Sequence, residues 1–235
     1  MALRFATALQ LLAVFIRTLT QATMTKAQNP KPKTHEICAI LLAAGRSQRM
    51  GAFKPLLPFG ETTVINTCIQ NLRDAGIDDI VVVLGHRADE VKQSLNNLNL
   101  NFAINPNPDS EMSASIACGV KEISKKTKVT LLTLSDQPAI PADVVNALVK
   151  EWKAGEKLVI PEFQGRGGHP VLIDLCFREE LVHLDPSGGL KSFFDAHKSE
   201  VKRLAVSSPY IARDLDTWDD YRALHTEIFG IPPTN

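Results

Sequence analysis

The sequence predicts an α/β protein, with a parallel sheet covered by helices on both faces. Three observations carry this. Apolar runs that read as buried strands alternate with helical stripes from Glu36 onward. The 235 residues suit one large domain better than two small ones. No internal repeat or low-complexity linker divides the chain.

The elements follow in order. Ile37 to Ala44 (ICAILLAA) is continuously apolar and reads as a strand buried on both faces. It ends at Gly45, and a polar loop runs to Gly60. Thr63 to Ala75 carries Val64, Ile65, Cys68, Ile69 and Leu72 at helical spacing, and Gly76 stops it. DDIVVVLG is the second buried strand, Asp89 to Asn96 the second helix, and Asn101 to Ile104 a shorter third strand. Met112 to Ile123 reads as a helix and Val129 to Ser135 as the next buried strand. Pro141 and Asp143 open a helix that runs to Ala154. Leu158 to Pro161 and Pro170 to Ile173 are strands flanking a glycine-rich turn. Short helices at Phe177 to Leu184 and Gly188 to His197, a strand at Val201 to Val206 and a helix at Thr217 to Phe229 complete the pattern.

Composition narrows the function classes. Hydrophobic residues make up 44% and charged residues 22%, which is globular, and a chain of this length buries about 70% of its unfolded surface without staples. Lys plus Arg equals Asp plus Glu at 26 each, so no global field draws in nucleic acid or an anionic membrane. Cys38, Cys68, Cys118 and Cys176 have no paired spacing, which excludes CxxC zinc sites and reads as reduced core thiols. Residues 1–34 form an expected leader. Its apolar run Ala6 to Ile16 is too short to span a bilayer, so stable membrane insertion is not expected. Either Met24 is the working start or the run is an interfacial amphipathic helix. The catalytic domain is expected over 35–230, with a tail at 231–235 and a cytoplasmic location.

Ligands of open parallel sheets collect beyond the C-terminal strand ends, and three such ends carry polar signals. At Leu42-Ala43-Ala44-Gly45-Arg46-Ser47-Gln48-Arg49-Met50-Gly51, small residues allow close backbone approach and successive amides can form an anion nest. Arg49 and Lys54 add fixed positive charge suited to a triphosphate. The pattern is neither a Walker A loop nor GxGxxG; alone, it is also a plain strand-to-helix turn with two solvated basic residues. In LSDQP, Asp136 stands at the sheet rim, as a metal ligand or as the start of a turn before Pro138. In RDLDTW, Asp216-Thr217 either caps the last helix or supplies a second carboxylate. Two carboxylates with phosphates suit Mg²⁺, and Mn²⁺ takes the same oxygen ligands.

LAAGRSQRMG with Lys54, then LSDQP, then GRGGHPVL at Gly165 to Leu172, then DLDTWDDY at Asp214 to Tyr221 resemble, in kind and order, the MobA-like nucleotidyltransferases. Within them the chain looks most like the molybdenum cofactor cytidylyltransferase branch, over roughly Ile37 to Phe229. The resemblance implies a Rossmann-like three-layer α/β/α sandwich with a mostly parallel mixed sheet, of the nucleotide-diphospho-sugar transferase type. It implies a nucleoside triphosphate, CTP favoured, Mg²⁺, and molybdopterin or a similar phosphorylated acceptor, with pyrophosphate released. A molybdoenzyme or its maturation factor is the implied protein partner. By motif, Leu42, Ala43, Ala44 and Gly45 contact the nucleotide, Arg49 and Lys54 hold its phosphates, and Asp136 with Asp216 holds the metal. Asn105 and Ser113 are further nucleotide contacts. Gly168 and His169 lie near the acceptor, with a structural turn histidine the other reading of His169. The sequence departs from the pattern at Glu111 and Ala114, where glycine and serine are usual, and a carboxylate beside an anion opposes binding unless it points away. His35, His86, His183, His197 and His225 read as solvated, and Trp152 and Trp218 as packing residues.

Overall fold

The computed structural model describes residues 36–46, 50–107 and 109–233. Arg49, His35 and the expected leader over 1–34 lie outside the described residues. Residues 35–235 form one compact unit.

Strand β1 (Ile37–Ala43) is buried along its whole length. It lies between β4 (Ile80–Leu84) and β6 (Val129–Leu134), parallel to both. A strand with helices above and below needs apolar residues at every position, and this is why the run ICAILLA does not alternate. β5 (Asn101–Ile104) adds to β4, again parallel. On the other side the sheet order continues from β6 to β9 (Val171–Asp174), β7 (Leu158–Phe163) and β10 (Val201–Ala205). β9 runs antiparallel to both its neighbours, and the two-residue β8 (Arg166–Gly167) hairpins back on β7. The sheet is therefore mostly parallel and mixed, as the resemblance implied, where strand–helix alternation alone gave only the parallel part. The reversal comes from the short turn after β7, where Gln164 and Gly165 both take positive φ and leave no length for a crossover helix.

Parity along β1 assigns the two faces. Ile37, Ala39, Leu41 and Ala43 pack with α1 (Val64–Asp74), α2 (Ala88–Ser94) and α4 (Ala142–Lys153). Cys38, Ile40 and Leu42 pack with α3 (Met112–Glu122), α5 (Arg178–Val182) and α6 (Gly189–Ala196). The result is the three-layer α/β/α sandwich. Helix α3 lies close to the sheet because Gly119 faces it: a Cβ there would stand 2.8 Å from methyls of both Ile40 and Val83.

A smaller cluster forms where the sequence showed only a polar loop. β2 (Pro58–Phe59) and β3 (Thr62–Thr63) make a hairpin whose Phe59 packs with Met50, Val64, Leu215 and the closing helix α7 (Trp218–Phe229). Tyr221 and Leu224 are the α7 contribution. His225, expected to be solvated, is buried here: it lies edge-on to Phe59, and its Nδ1 is 2.8 Å from the Ile231 carbonyl. His197 is also partly covered, held between Glu180 and Glu200. Trp152 packs against the core as expected and donates to Asp174, but Trp218 is 40% exposed under Arg222. Cys38 and Cys68 are buried, whereas Cys176 is exposed beyond the end of β9, which corrects its reading as a core thiol. Among the described residues no helix is long and apolar enough to cross a membrane.

Candidate active site

A cavity of about 270 Å³ opens at the C-terminal ends of β1 and β6, where a parallel sheet leaves strand-end amides and carbonyls without ladder partners. Leu42, Ala43, Ala44 and Gly45 from the end of β1 form one wall, and Leu134, Ser135 and Asp136 from β6 another. Ser110, Met112 and Ser115 close the α3 side, and Lys54 and Pro55 the fourth. A Cβ added at Gly45 would meet nothing within 4 Å, so the backbone stands open to the cavity there.

Lys54 sits in a single 3-10 turn, Lys54–Leu56, whose entry residue Phe53 is buried beneath the Arg87 guanidinium, 4.8 Å from the ring centroid. Pro55 presets the turn at a position where its missing N–H is harmless. The Lys54 ammonium reaches Asp216 Oδ1 at 2.7 Å and Asp136 Oδ2 at 3.3 Å. Lys54 is 11% exposed by side chain, Asp136 25% and Asp216 42%, so the pair opens to solvent on the Asp216 side.

Asp136 and Asp216 are 80 positions apart in the chain, and what joins them is backbone. Leu215, fully buried, donates its N–H to the Asp136 carbonyl at 3.0 Å. Its neighbours Asp214 and Asp216 then serve different partners. Asp216 turns to Lys54, while Asp214 accepts from Gln137 Nε2 at 2.6 Å. Capping of α7 belongs to Thr217, whose hydroxyl accepts from the Asp220 N–H while the Asp220 carboxylate accepts from Thr217 N–H. Of the two readings offered for Asp216-Thr217, the cap is Thr217 and the carboxylate is left for the lysine. Burial pushes the Asp136 carboxyl above its usual range; Lys54 opposes this, and the nearby Asp214 charge adds to it.

Asn105 and Ser113 are buried and lie outside the cavity lining. Asn105 donates to Ser110 and Ser115 at 3.0 and 2.9 Å, so it orients two hydroxyl residues that do line the cavity. Glu111 is exposed at the N-cap of α3, between Ser110 and Met112, and does not itself line the cavity. Arg46 and Asp109 pair at 2.6 Å between the two loops that flank the cavity. Ser110, Met112, Ser115, Gln137 and Asp214 were not singled out from the sequence. Met112 and Ser115 stood in a segment read as lying near the nucleotide, and Gln137 and Asp214 in quoted motifs, but side-chain identity alone gave none of them a role.

Gly168 and His169 follow β8. A Cβ on Gly168 would fall 2.0 Å from the Ile211 carbonyl oxygen, and His169 N–H donates to that same oxygen at 2.7 Å. His169 Nδ1 lies 3.3 Å from the Leu132 carbonyl, an acceptor, so the proton is on Nδ1. His169 therefore joins β6, through its imidazole, to the Ile211–Asp214 segment, through its backbone N–H. Burial holds its pKa below the usual 6.5, against the pull of the Leu132 bond and Asp214. An unfolded chain takes up this proton first, so His169 lowers stability as pH falls through about 6.5, with no further loss below the folded pKa. Urea unfolding of wild type and His169→Gln at pH 8 and pH 5 measures this share. Wild type is expected to lose more stability than the variant on acidification, and equal losses would contradict the assignment.

Two carboxylates and a lysine at the rim of a sheet-end cavity with an open glycine backbone suit nucleotidyl transfer, and the comparisons give the class. The domain model of the MobA-like NTP transferases matches residues 39–201, and the chain belongs to that family. It is 26% identical to the molybdenum cofactor cytidylyltransferase of Escherichia coli K12, over 82% of this chain and 98% of that protein. It is 27% identical to the nicotine blue oxidoreductase of Paenarthrobacter nicotinovorans, over 80% and 96%. Among solved structures, Rv0371c of Mycobacterium tuberculosis superposes with TM-score 0.73 and 28% identity, over 81% of this chain and 97% of that one. A manganese complex of the same mycobacterial protein superposes with TM-score 0.67 at 26% identity, over 80% and 97%.

Proposed function

We propose that this enzyme transfers CMP from CTP to molybdopterin, releasing pyrophosphate and forming the cytosine dinucleotide. The observation that carries this reading is the convergence of Asp136 and Asp216 on Lys54 at the mouth of the strand-end cavity. The likeness to the Escherichia coli cytidylyltransferase over nearly its full length supports the choice of base and acceptor.

In this reading the triphosphate lies along Leu42 to Gly45, with Arg49 and Lys54 on its phosphates. Asn105 and Ser113 act behind the base side through the residues they pack. Asp136 and Asp216 hold Mg²⁺, and Mn²⁺ suits the same oxygens. The fit rests on the donors: two carboxylates already share one cation, and among the described residues no cluster of three or more ligating side chains competes with them. When bound, the divalent ion supplies positive charge where the α-phosphate meets the anionic acceptor. Lys54 turns from the carboxylates to the phosphates and offsets charge on the departing pyrophosphate. The acceptor's phosphate oxygen, ionised at neutral pH, forms the new bond to the α-phosphorus as the α–β bridging bond breaks. No protein nucleophile or general base is needed. Gly168 and His169 belong on the acceptor side, joined to the carboxylates through the Ile211–Asp214 segment. The reaction places the enzyme in the cytoplasm, delivering its product to a molybdoenzyme or its maturation factor.

The nicotine blue oxidoreductase likeness favours a second reading, a cofactor or redox-substrate binder on the same fold. The two rim carboxylates weigh against it, since a protein that only binds has no need of metal carboxylates. Pyrophosphate release from CTP and from GTP, with Mg²⁺ and with or without molybdopterin, separates the readings. Release from CTP only when molybdopterin is added is expected. Preference for GTP would overturn the base, and no release from either would overturn the transfer.

A further inference from the structure

We infer that Gln137 is a positioning residue that tethers Asp214, fixes the Asp214–Asp216 segment with Asp216 turned toward Asp136, and thereby sets that pair's affinity for a divalent cation. The inference rests on the reading that this pair is the metal site.

Gln137 follows Asp136 directly and is 4% exposed. Its Nε2 donates to Asp214 Oδ1 at 2.6 Å and lies 3.5 Å from the Ile211 carbonyl. Both partners only accept, so the amide has one workable orientation. That orientation turns Oε1 the other way, where it is buried without a protein partner among the described residues. A buried acceptor left unmatched opposes stability, so the side chain is held there at the expense of its own satisfaction. What it secures is the Asp214 carboxylate.

Three acidic side chains lie at this rim, and Lys54 is bonded to two of them. Asp214 sits two residues from Asp216, with the buried Leu215 between and its N–H fixed on Asp136. Rotation of this short segment moves both carboxylates together. Bonded to Gln137, Asp214 anchors the segment, and Asp216 is held toward Lys54 and Asp136. The Ile211 carbonyl also accepts from His169 N–H at 2.7 Å, so Gln137 closes a bonded ring between the loops after β6, β8 and the Pro209–Ala212 turn. Residues that orient metal ligands from outside the coordination shell typically change metal affinity by 10–100-fold when replaced.

Two near-isosteric replacements separate positioning from packing. Gln137→Met keeps shape and removes the donor, and Gln137→Glu keeps shape and sets a carboxylate against Asp214. Mn²⁺ binding is titrated by electron paramagnetic resonance on the full chain, with Mn²⁺ alone and with CTP, and melting temperature is read in parallel without metal. Mn²⁺ affinity is expected to fall about 10-fold in the Met variant and further in the Glu variant. Asp214→Leu, at an exposed position and so tolerant of replacement, is expected to reproduce the Met result without touching the buried site. Wild-type Mn²⁺ affinity in the folded Gln137 variants or in Asp214→Leu, even with a lowered melting temperature, would overturn the inference. Asp136→Asn serves as the control for the underlying reading. If it too binds Mn²⁺ like wild type, the metal site itself is misplaced; if it alone loses binding, only the role of Gln137 fails.

Discussion

Asp136→Asn is expected to lower turnover by roughly 10³-fold, about 4 kcal/mol of transition-state stabilisation, while leaving the fold at least as stable as wild type at pH 7. The two halves have one cause. Asp136 is ionised in a place that disfavours its charge: burial raises its pKa more than Lys54 lowers it, and the Asp214 charge pushes the same way. A carboxyl whose folded pKa is raised destabilises the ionised fold. That cost is fully present above the folded pKa and vanishes as pH falls below the unfolded value near 3.8. Asn removes the charge with little change in shape, and Asp216 still pairs with Lys54 at 2.7 Å. Melting curves of both proteins across pH 4 to 7 check the sign: any advantage of the variant is largest at neutral pH and shrinks on acidification. Undiminished turnover with Mg²⁺ would remove Asp136 from the chemistry. A large loss of stability at pH 7 would mean that the ion pair is structural instead.

Much of this arrangement was legible in the sequence, for definite physical reasons. Buried parallel strands are nearly continuously apolar, so β1, β4 and β6 announced themselves as ICAILLA, IVVVL and VTLLTL, and the polar residues just after them marked the ligand end. Helix α1 was legible from its apolar stripe and from Thr63, which caps it through the Asn66 N–H. Strand direction was not legible, because an apolar run such as VLID has no polarity; β9 is reversed by a two-residue turn whose effect shows only in three dimensions. The β2–β3 hairpin has two residues per strand, too few for any period to appear. At the site, Asp136 could be named because it directly follows a buried strand, and Lys54 and Asp216 because of the motifs they stand in. Gln137, Asp214 and Ser115 could not, because their parts depend on hydrogen bonds to residues between 10 and 77 positions away. His225 misled for the same reason: nothing local says that Phe59 and Ile231 will enclose it.

Lys54→Ala is expected to lower turnover with CTP by about 10²-fold and, unlike Asp136→Asn, to destabilise the metal-free protein. Lys54 bonds two carboxylates from opposite ends of the domain, and its own side chain is only 11% exposed. Without the ammonium, Asp136 and Asp216 face each other across a few ångströms. Asp216 is 42% exposed, so solvent screens part of the repulsion, and about 1–2 kcal/mol remains. For a domain of this size that is a fall of roughly 3–6 °C in melting temperature. The diagnostic lies in what divalent ions restore. On the proposed reading, Mg²⁺ or Mn²⁺ in wild type would have to displace Lys54 from the carboxylates before it stabilised the fold. In the alanine variant it would meet the two carboxylates without the ammonium and replace the missing charge. Ligand-linked stabilisation grows with affinity for the folded state, so the metal-induced rise in melting temperature should be larger in Lys54→Ala than in wild type. Differential scanning fluorimetry with and without 5–10 mM Mg²⁺ (roughly the range needed for weak carboxylate sites) measures it directly. An equal or smaller rise in the variant would mean that the lysine and the metal do not share these oxygens, and the site would have to be rebuilt around another pair.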